Sequence, residues 1–137
     1  MQFTKLIQLL SLVAASSAVT VSYDTGYDDD SRSLTAVACS DGQNGLISRF
    51  GWQTQGDIPS LYLGAADAIG GWNSPACGTC WELSFGGRTI NVLAIDHAGA
   101  GFNIALDGLN ALTNGQGVAL GRIEASARQV STSACGI

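Results

Sequence analysis

Residues 74–83, SPACGTCWEL, contain two of the four cysteines in this chain of 137 residues, and the role of this pair decides the fold. The Cys-x-x-Cys spacing fits a redox dithiol, half of a zinc site, or the anchors of two separate disulfides. Cys39 and Cys135 lie far away and singly, which disfavours a four-cysteine zinc site. A redox dithiol needs a helix N-terminus, whereas Trp81–Phe85 alternates like a strand. Disulfides are therefore favoured, and the spacing alone leaves all three pairings open.

The first 18 residues predict a secretory signal peptide. Lys5 precedes an apolar run from Leu6 to Ala15, and Ser16-Ser17-Ala18 supplies the small residues that signal peptidase requires. The apolar run is shorter than the roughly 20 residues that span a bilayer, so we expect cleavage and a soluble mature chain rather than a membrane anchor. The mature chain would begin near Val19 in an oxidising compartment, where an even number of cysteines favours disulfides.

The mature chain carries five arginines against eleven carboxylates, a net charge of −6. An acidic chain without a basic stripe is a poor nucleic-acid binder, and about 120 residues suit a single domain. His97 is the only histidine and has no visible triad partner, so nucleophilic catalysis is unsupported. We expect no cofactor and no metal, and we interpret the acidic cluster Asp28–Asp30 as a solvated loop rather than a calcium site.

Periodicity predicts a mainly β domain with one helix. Because all-β domains remove exposed edges by closing, several short strands with many glycines indicate a small closed β-barrel. Asn103 can cap the start of the predicted helix, as an alternative to contacting sugar, and a Gly86-Gly87 pair joins the clearest hairpin. The predicted strands are residues 19–23, 34–38, 46–50, 81–85, 89–95 and 118–130, and the predicted helix is 102–114.

Four motifs occur in order along the chain: Val21–Asp24, Cys39–Gly42 with Asn44–Leu46, Gly71–Trp81, and Asp96 followed by Gly101–Ile104. Together they resemble the cerato-platanins, a family of small secreted fungal proteins, over essentially all of residues 19–137. The resemblance implies a six-stranded double-psi β-barrel akin to the first domain of expansins. It also implies the disulfides Cys39–Cys77 and Cys80–Cys135, which would make residues 74–83 structural.

The same resemblance implies a non-catalytic, expansin-like protein of the cell wall. Its implied partners are chitin or N-acetylglucosamine oligomers, cellulose, and a plant receptor that detects it as an elicitor of defence. Self-association into a surface-active coat is a further hypothesis, supported only by the apolar, weakly charged composition. The carbohydrate-binding residues that we predict are Asp96, Asn103, Tyr23, Asp24 and Phe102.

Asp96 follows the apolar run Val92–Ile95, so its carboxylate lies where a buried strand emerges. It corresponds to the acidic groove residue of expansin-like barrels, and the structural alternative is that it holds the turn Gly99–Gly101. Related barrels in one endoglucanase family cut cellulose, but inversion needs a second carboxylate, which no motif marks. Sugar binding also uses aromatic faces. The aromatic candidates are Tyr23, Tyr27, Trp52 and Trp72.

Overall fold

Alternation of apolar and polar residues builds most of the barrel wall. The computed structural model describes residues 16–137, in which six strands close into one barrel in the order β1-β5-β2-β4-β3-β6. The predicted fold, a six-stranded double-psi barrel that is mainly β with short helices, is confirmed. The strands are β1 (Ser17–Tyr23), β2 (Tyr62–Ala66), β3 (Cys80–Phe85), β4 (Arg88–His97), β5 (Phe102–Ile104) and β6 (Arg122–Val130).

Two strand pairs are parallel, β1 with β5 and β2 with β4, and the other pairs are antiparallel. The predicted hairpin between β3 and β4 is confirmed, with Phe85 opposite Arg88. Gly86 and Gly87 have φ values of +57° and +80°, the left-handed backbone conformation that both central residues of a tight two-residue hairpin turn require. Apolar side chains of β3 and β4 fill the core, among them Leu83, Val92, Leu93 and Ile95, all at 0% exposure.

Within residues 16–137 the α-helices are α1 (Leu46–Phe50), α2 (Leu106–Thr113) and α3 (Gly117–Leu120). The strand predicted at 46–50 is wrong, because the amides of Leu46 and Ile47 bond the carbonyls of Cys39 and Ser40 and start a helix. The strand predicted at 34–38 is also wrong, because residues Leu34–Ala36 form a 3-10 turn. Further 3-10 turns are Thr25–Asp28, Gln55–Asp57 and Thr132–Cys135.

Two predicted elements begin later than expected, because the residues predicted to start them belong to a different element. The helix predicted from Phe102 begins only at Leu106, because Phe102–Ile104 pairs with β1 and β2. The last strand begins at Arg122 rather than Val118, since Gly117–Leu120 is helical and Gly121 ends that turn with a positive φ. Within the last strand, Ile123, Ala125 and Ala127 are buried, as predicted.

The disulfides are Cys39–Cys77 and Cys80–Cys135, with Cα–Cα separations of 5.5 and 5.9 Å. They confirm the implied pairing, so residues 74–83 tie two distant segments to the start of β3. The predicted signal peptide lies outside the described residues, apart from 16–18, of which Ser17 and Ala18 extend β1. Across residues 16–137, none of the helices is long and apolar enough to span a bilayer.

Candidate functional site

The two principal predicted site residues lie in one row across the barrel wall. Ser22 of β1 is opposite Asn103 of β5, Asn103 is opposite Ala65 of β2, and Ala65 is opposite Asp96 of β4. Two strand spacings, about 10 Å, therefore separate the Asp96 and Asn103 backbones. Ala65 between them is only 1% exposed. The row is a shallow polar surface rather than an open trench.

Three donors from three segments hold the half-buried Asp96 carboxylate. Its Oδ1 accepts from the Ala38 amide and from its neighbour's amide, that of His97, each at 2.9 Å. Its Oδ2 accepts from the Tyr27 hydroxyl at 2.8 Å. Burial, followed by the bond to Asp96, raises the pKa of Tyr27, so this phenol is a donor at ordinary pH. A carboxylate has about four acceptor positions, which leaves Asp96 about one for a ligand hydroxyl.

Asn103 offers the complementary group, an amide donor. Its Oδ1 accepts from the Ser22 hydroxyl at 3.1 Å, and its Nδ2 has no partner within residues 16–137. The prediction that Asn103 caps the following helix is wrong. Asp28 performs that task across the barrel end, since its carboxylate accepts from the amides of Leu106 at 2.7 Å and Asp107 at 3.0 Å. The Asn103 side chain is therefore not committed to the helix.

The other predicted sugar contacts have different surroundings. Tyr23 is half-buried and packs against the core, and Asp24 caps a 3-10 turn by accepting from the Gly26 amide at 2.8 Å. Phe102 is 4% exposed and packs edge-on against Trp81, with ring centroids 5.5 Å apart. Since a stacking residue needs an exposed ring face, the buried Phe102 ring is not placed to stack on a sugar, and its predicted part in carbohydrate binding stays a prediction. Phe102 instead fixes the strand that carries Asn103.

One of the four aromatic candidates stands out by exposure. Trp72 is 62% exposed, whereas Tyr27 is buried and Tyr23 is half-buried. Trp52 is half-buried and stacks on Phe50 with ring centroids 4.2 Å apart. Trp72 is therefore the aromatic side chain with the largest face available to a ligand.

Two supporting residues escaped the sequence analysis. Asp67, rather than Asp96, holds the glycine turn after β4, because its Oδ2 accepts from the Gly101 amide at 2.9 Å. His97 bonds through Nδ1 to the Ile69 carbonyl at 2.6 Å, so Nδ1 carries the proton and donates. These partners lie 34 and 28 residues apart in sequence, and no local pattern marks either contact.

The acidic cluster has structural roles. Both oxygens of Asp28 accept from helix amides, and Asp29 accepts from the amide and hydroxyl of Ser31. The Ser31 hydroxyl, as the largest cause, holds the pKa of Asp29 below its ordinary value. Within residues 16–137, no group of three or more His, Cys, Asp or Glu has the placement to hold a metal ion.

A cavity of the barrel lies away from Asp96. It has a volume of about 600 Å³ and lies between the start of β4 and the C-terminal turn. Five residues of β4, about 17 Å, separate Asn91 in its wall from Asp96. Among its lining residues are Leu61, Tyr62, Arg88, Asn91, Ala111 and Gly136.

Comparisons with known proteins agree with the fold and motifs. The model of the cerato-platanin family matches residues 19–137. The heat-stable 19 kDa antigen of Coccidioides immitis is 42% identical over 132 residues, which cover 96% of this chain and 90% of the antigen. The crystal structure of cerato-platanin 3 from M. perniciosa has a TM-score of 0.85 and 47% identity, covering 88% of this chain and 100% of that one. The solution structure of the fungal elicitor cerato-platanin has a TM-score of 0.74 and 33% identity, covering 85% of this chain and 96% of that one.

Proposed function

The chain belongs to the cerato-platanin family, and on that premise we propose that it is a secreted, non-catalytic, expansin-like protein that binds chitin or N-acetylglucosamine oligomers. One observation carries the proposal. A carboxylate with an unused acceptor position, Asp96, and an amide with an unused donor, Asn103, lie in one row of the barrel wall. Export by residues 1–18 into an oxidising compartment accounts for both disulfides.

The two groups match the chemistry of an acetylated sugar. The Asn103 amide donates to a hydroxyl or an acetamido carbonyl, while Asp96 accepts from a hydroxyl. Hydrogen bonds to a charged group contribute about 1.5–3 kcal/mol, and those between neutral groups about 1 kcal/mol, so the pair supports modest affinity. Contacts of this kind compete with the bonds between neighbouring polysaccharide chains and loosen their packing without breaking a glycosidic bond.

The surroundings of Asp96 argue against hydrolysis as the function. A general acid must present a proton to the glycosidic oxygen, but both oxygens of Asp96 already accept from protein donors. An inverting mechanism also needs a second carboxylate that activates water. Asp24 is close enough to Tyr27 to raise the pKa of that phenol further, but its own carboxylate accepts from the Gly26 amide.

Similarity to a solved fungal elicitor supports a second role, in which plants recognise the secreted protein and start a defence response. The closed, cross-linked barrel gives a receptor a rigid surface to recognise. This role requires no catalysis, and it is compatible with glycan binding through the Asp96 row.

Calorimetric titration of chitohexaose into the mature protein tests the proposal. Asp96→Asn keeps the shape and most internal bonds of the side chain and should weaken binding about tenfold, because it removes a charged acceptor. Asn103→Ala should weaken binding about fivefold. Asp30→Asn, a matched loss of charge at an exposed residue, should leave affinity unchanged. Unchanged affinity in both site variants would refute the assignment.

Incubation with chitin oligomers and soluble β-glucan tests the non-catalytic part of the proposal. No new reducing ends should appear with the wild-type protein. Release of reducing ends that disappears in Asp96→Asn would show a hydrolase instead.

A further inference from the structure

We infer that Trp72 is a stacking platform for one pyranose ring of the glycan whose other units reach Asp96 and Asn103. The inference rests on the proposed function and deepens it, since it adds a separate contact and defines the class of polysaccharide. Neither the sequence motifs nor the geometry of the Asp96 row requires Trp72 to bind anything.

The Trp72 ring is exposed and yet fixed. Its side chain is 62% exposed, and its Nε1 donates to Asp41 Oδ1 at 2.6 Å. The same bond, as the largest cause, holds the pKa of the Asp41 carboxyl below its ordinary value. A bond to the one polar atom of the indole sets the ring orientation and leaves apolar surface facing solvent. Such a fixed aromatic surface binds a flat apolar partner with little loss of side-chain entropy.

The backbone around Trp72 is braced as well. Asn73 has a φ of +60°, and its Oδ1 accepts from the Asn44 amide at 2.9 Å. The Asn44 side chain in turn donates to the Asn73 carbonyl at 3.0 Å. Gly42 has a φ of +79°, and a Cβ there would lie 2.9 Å from Cζ2 of Trp72, so the indole rests closely on the Gly42 turn. Two loops are therefore locked together beneath one ring.

Both loops are hydrogen-bonded to the end of the strand that carries Asp96. The Ala38 amide donates to Asp96, and three residues later Asp41 holds the indole, so at most about 11 Å of chain lies between these contacts. On the other side, His97 donates to the Ile69 carbonyl, three residues before Trp72. Trp72 is thus at the same end of the barrel as Asp96, within the span of one oligosaccharide.

The chemistry of this surface selects a neutral β-linked chain. Pyranoses with equatorial substituents have an apolar C–H face that packs on an aromatic ring, and chitin and cellulose consist of such rings. Asp41 beside the ring and Asp96 beyond it place two of the eleven carboxylates of the chain, whose net charge is −5 over all 137 residues, at this surface. Like charges disfavour polyuronates at this surface. The expected ligand is therefore neutral chitin or β-glucan rather than pectate.

Ligands of different length distinguish binding to Trp72 from binding to the Asp96 row. Affinities for chitobiose and chitohexaose should be measured for wild type, Trp72→Ala, Trp72→Phe and Asp96→Asn. Trp72→Ala should weaken chitohexaose binding about five- to tenfold and leave chitobiose binding at the Asp96 row unchanged. Trp72→Phe should retain most of the affinity, because a ring face remains. Trp52→Phe is the matched tryptophan control, and oligogalacturonate should not bind.

The results distinguish the two proposals. If Asp96→Asn weakens both ligands while Trp72→Ala weakens neither, the platform is refuted and the proposed function stands. If the wild-type protein binds no chitin oligomer, the proposed function fails and the platform fails with it. If Trp72→Ala abolishes a dimer in sedimentation experiments without changing sugar affinity, the ring contacts a second copy of the chain, and the inference is overturned.

Discussion

The two ends of β4 differ in how their polar groups are satisfied. At the Asp96 end, the turn that holds Tyr27, the segment at Ala38 and His97 of β4 itself supply three donors to one carboxylate. At the Arg88 end, a cavity of about 600 Å³ adjoins the strand, with Leu61 82% exposed at its edge. There the buried Oδ1 of Asn91 has no hydrogen-bond partner within residues 16–137. One strand therefore carries a well-organised polar surface at one end and a loosely filled cavity at the other.

The difference shows that the volume of a cavity is a poor guide to function in this barrel. The cavity at the Arg88 end has both polar and apolar walls, and the buried Asn91 Oδ1 beside it has no hydrogen-bond partner within residues 16–137. The shallow surface at the Asp96 end has fixed groups of the type that sugars need. The organisation of polar groups, rather than enclosure, marks the candidate site.

Removal of single disulfides should give the largest effect and separate the two ends. Cys39–Cys77 and Cys80–Cys135 close loops with sequence separations of 38 and 55, so each double Cys→Ala variant should lose about 4 kcal/mol of unfolding free energy. Cys39 adjoins Ala38, which donates to Asp96, whereas Cys135 lines the cavity. Denaturant unfolding and chitohexaose titration, under conditions where both variants stay folded, should show that glycan binding fails only without Cys39–Cys77. Equal loss of binding in both variants would contradict this separation.

A matched pair of glycines should give the next largest effect. Gly86 precedes β4, Gly101 follows it, and each has a φ of +57°. Alanine at either position should lower the free energy of unfolding by about 1–2 kcal/mol, because the left-handed backbone conformation is unfavourable for it. At Gly101 the new Cβ would also overlap the Thr20 carbonyl oxygen, whereas at Gly86 it would meet nothing within 4 Å.

Gly101→Ala should therefore cost at least about 2 kcal/mol more than Gly86→Ala. Urea unfolding of both variants measures the difference directly. Equal costs would show that the turn after β4 relaxes freely and that the Asp96 end is not the more rigid one.

Deletion of one polar group at each end should give small effects of opposite sign. Tyr27→Phe removes a donor to Asp96 and should cost about 1.5–3 kcal/mol, whereas Asn91→Leu removes an unpartnered buried group and should be neutral or stabilising by about 1 kcal/mol. Because the pKa of Tyr27 is raised, its contribution is complete below about pH 10 and is lost as pH rises through the raised value.

Thermal unfolding of both variants at neutral pH shows whether each substitution lowers or raises stability. A repeat at alkaline pH should show a smaller gap between wild type and Tyr27→Phe. A destabilised Asn91→Leu variant would show that the cavity end is as well satisfied as the Asp96 end.

The sequence predicted the elements whose pattern depends on local periodicity. β1, the β3–β4 hairpin and the buried positions of β6 follow from strict alternation and from Gly86-Gly87. The Asp96 position also follows locally, because a carboxylate ends an apolar run. The pairing of the cysteines came from a family resemblance rather than from spacing.

The errors occurred where distant residues decide local structure. Residues 46–50 are apolar enough for a strand, but bonds to the Cys39 and Ser40 carbonyls impose a helix. Asparagine is a residue type that often caps helices, but Asp28, 78 residues away in the sequence, caps the helix that follows Asn103. Neither contact follows from periodicity within its own segment, and the Asp28 contact forms only when the two segments come together in the fold.

The pairing of β1 with β6 has a consequence for biosynthesis. The first strand along the chain, β1, must wait for the last strand, β6, before the sheet is complete. Contacts between distant parts of a sequence form slowly, because closing the long loop between them costs conformational entropy. A growing polypeptide of this topology cannot finish its tertiary structure before nearly all of it has left the ribosome. The closed barrel is therefore a structure that forms late, when the C-terminal strand β6 becomes available to pair with β1.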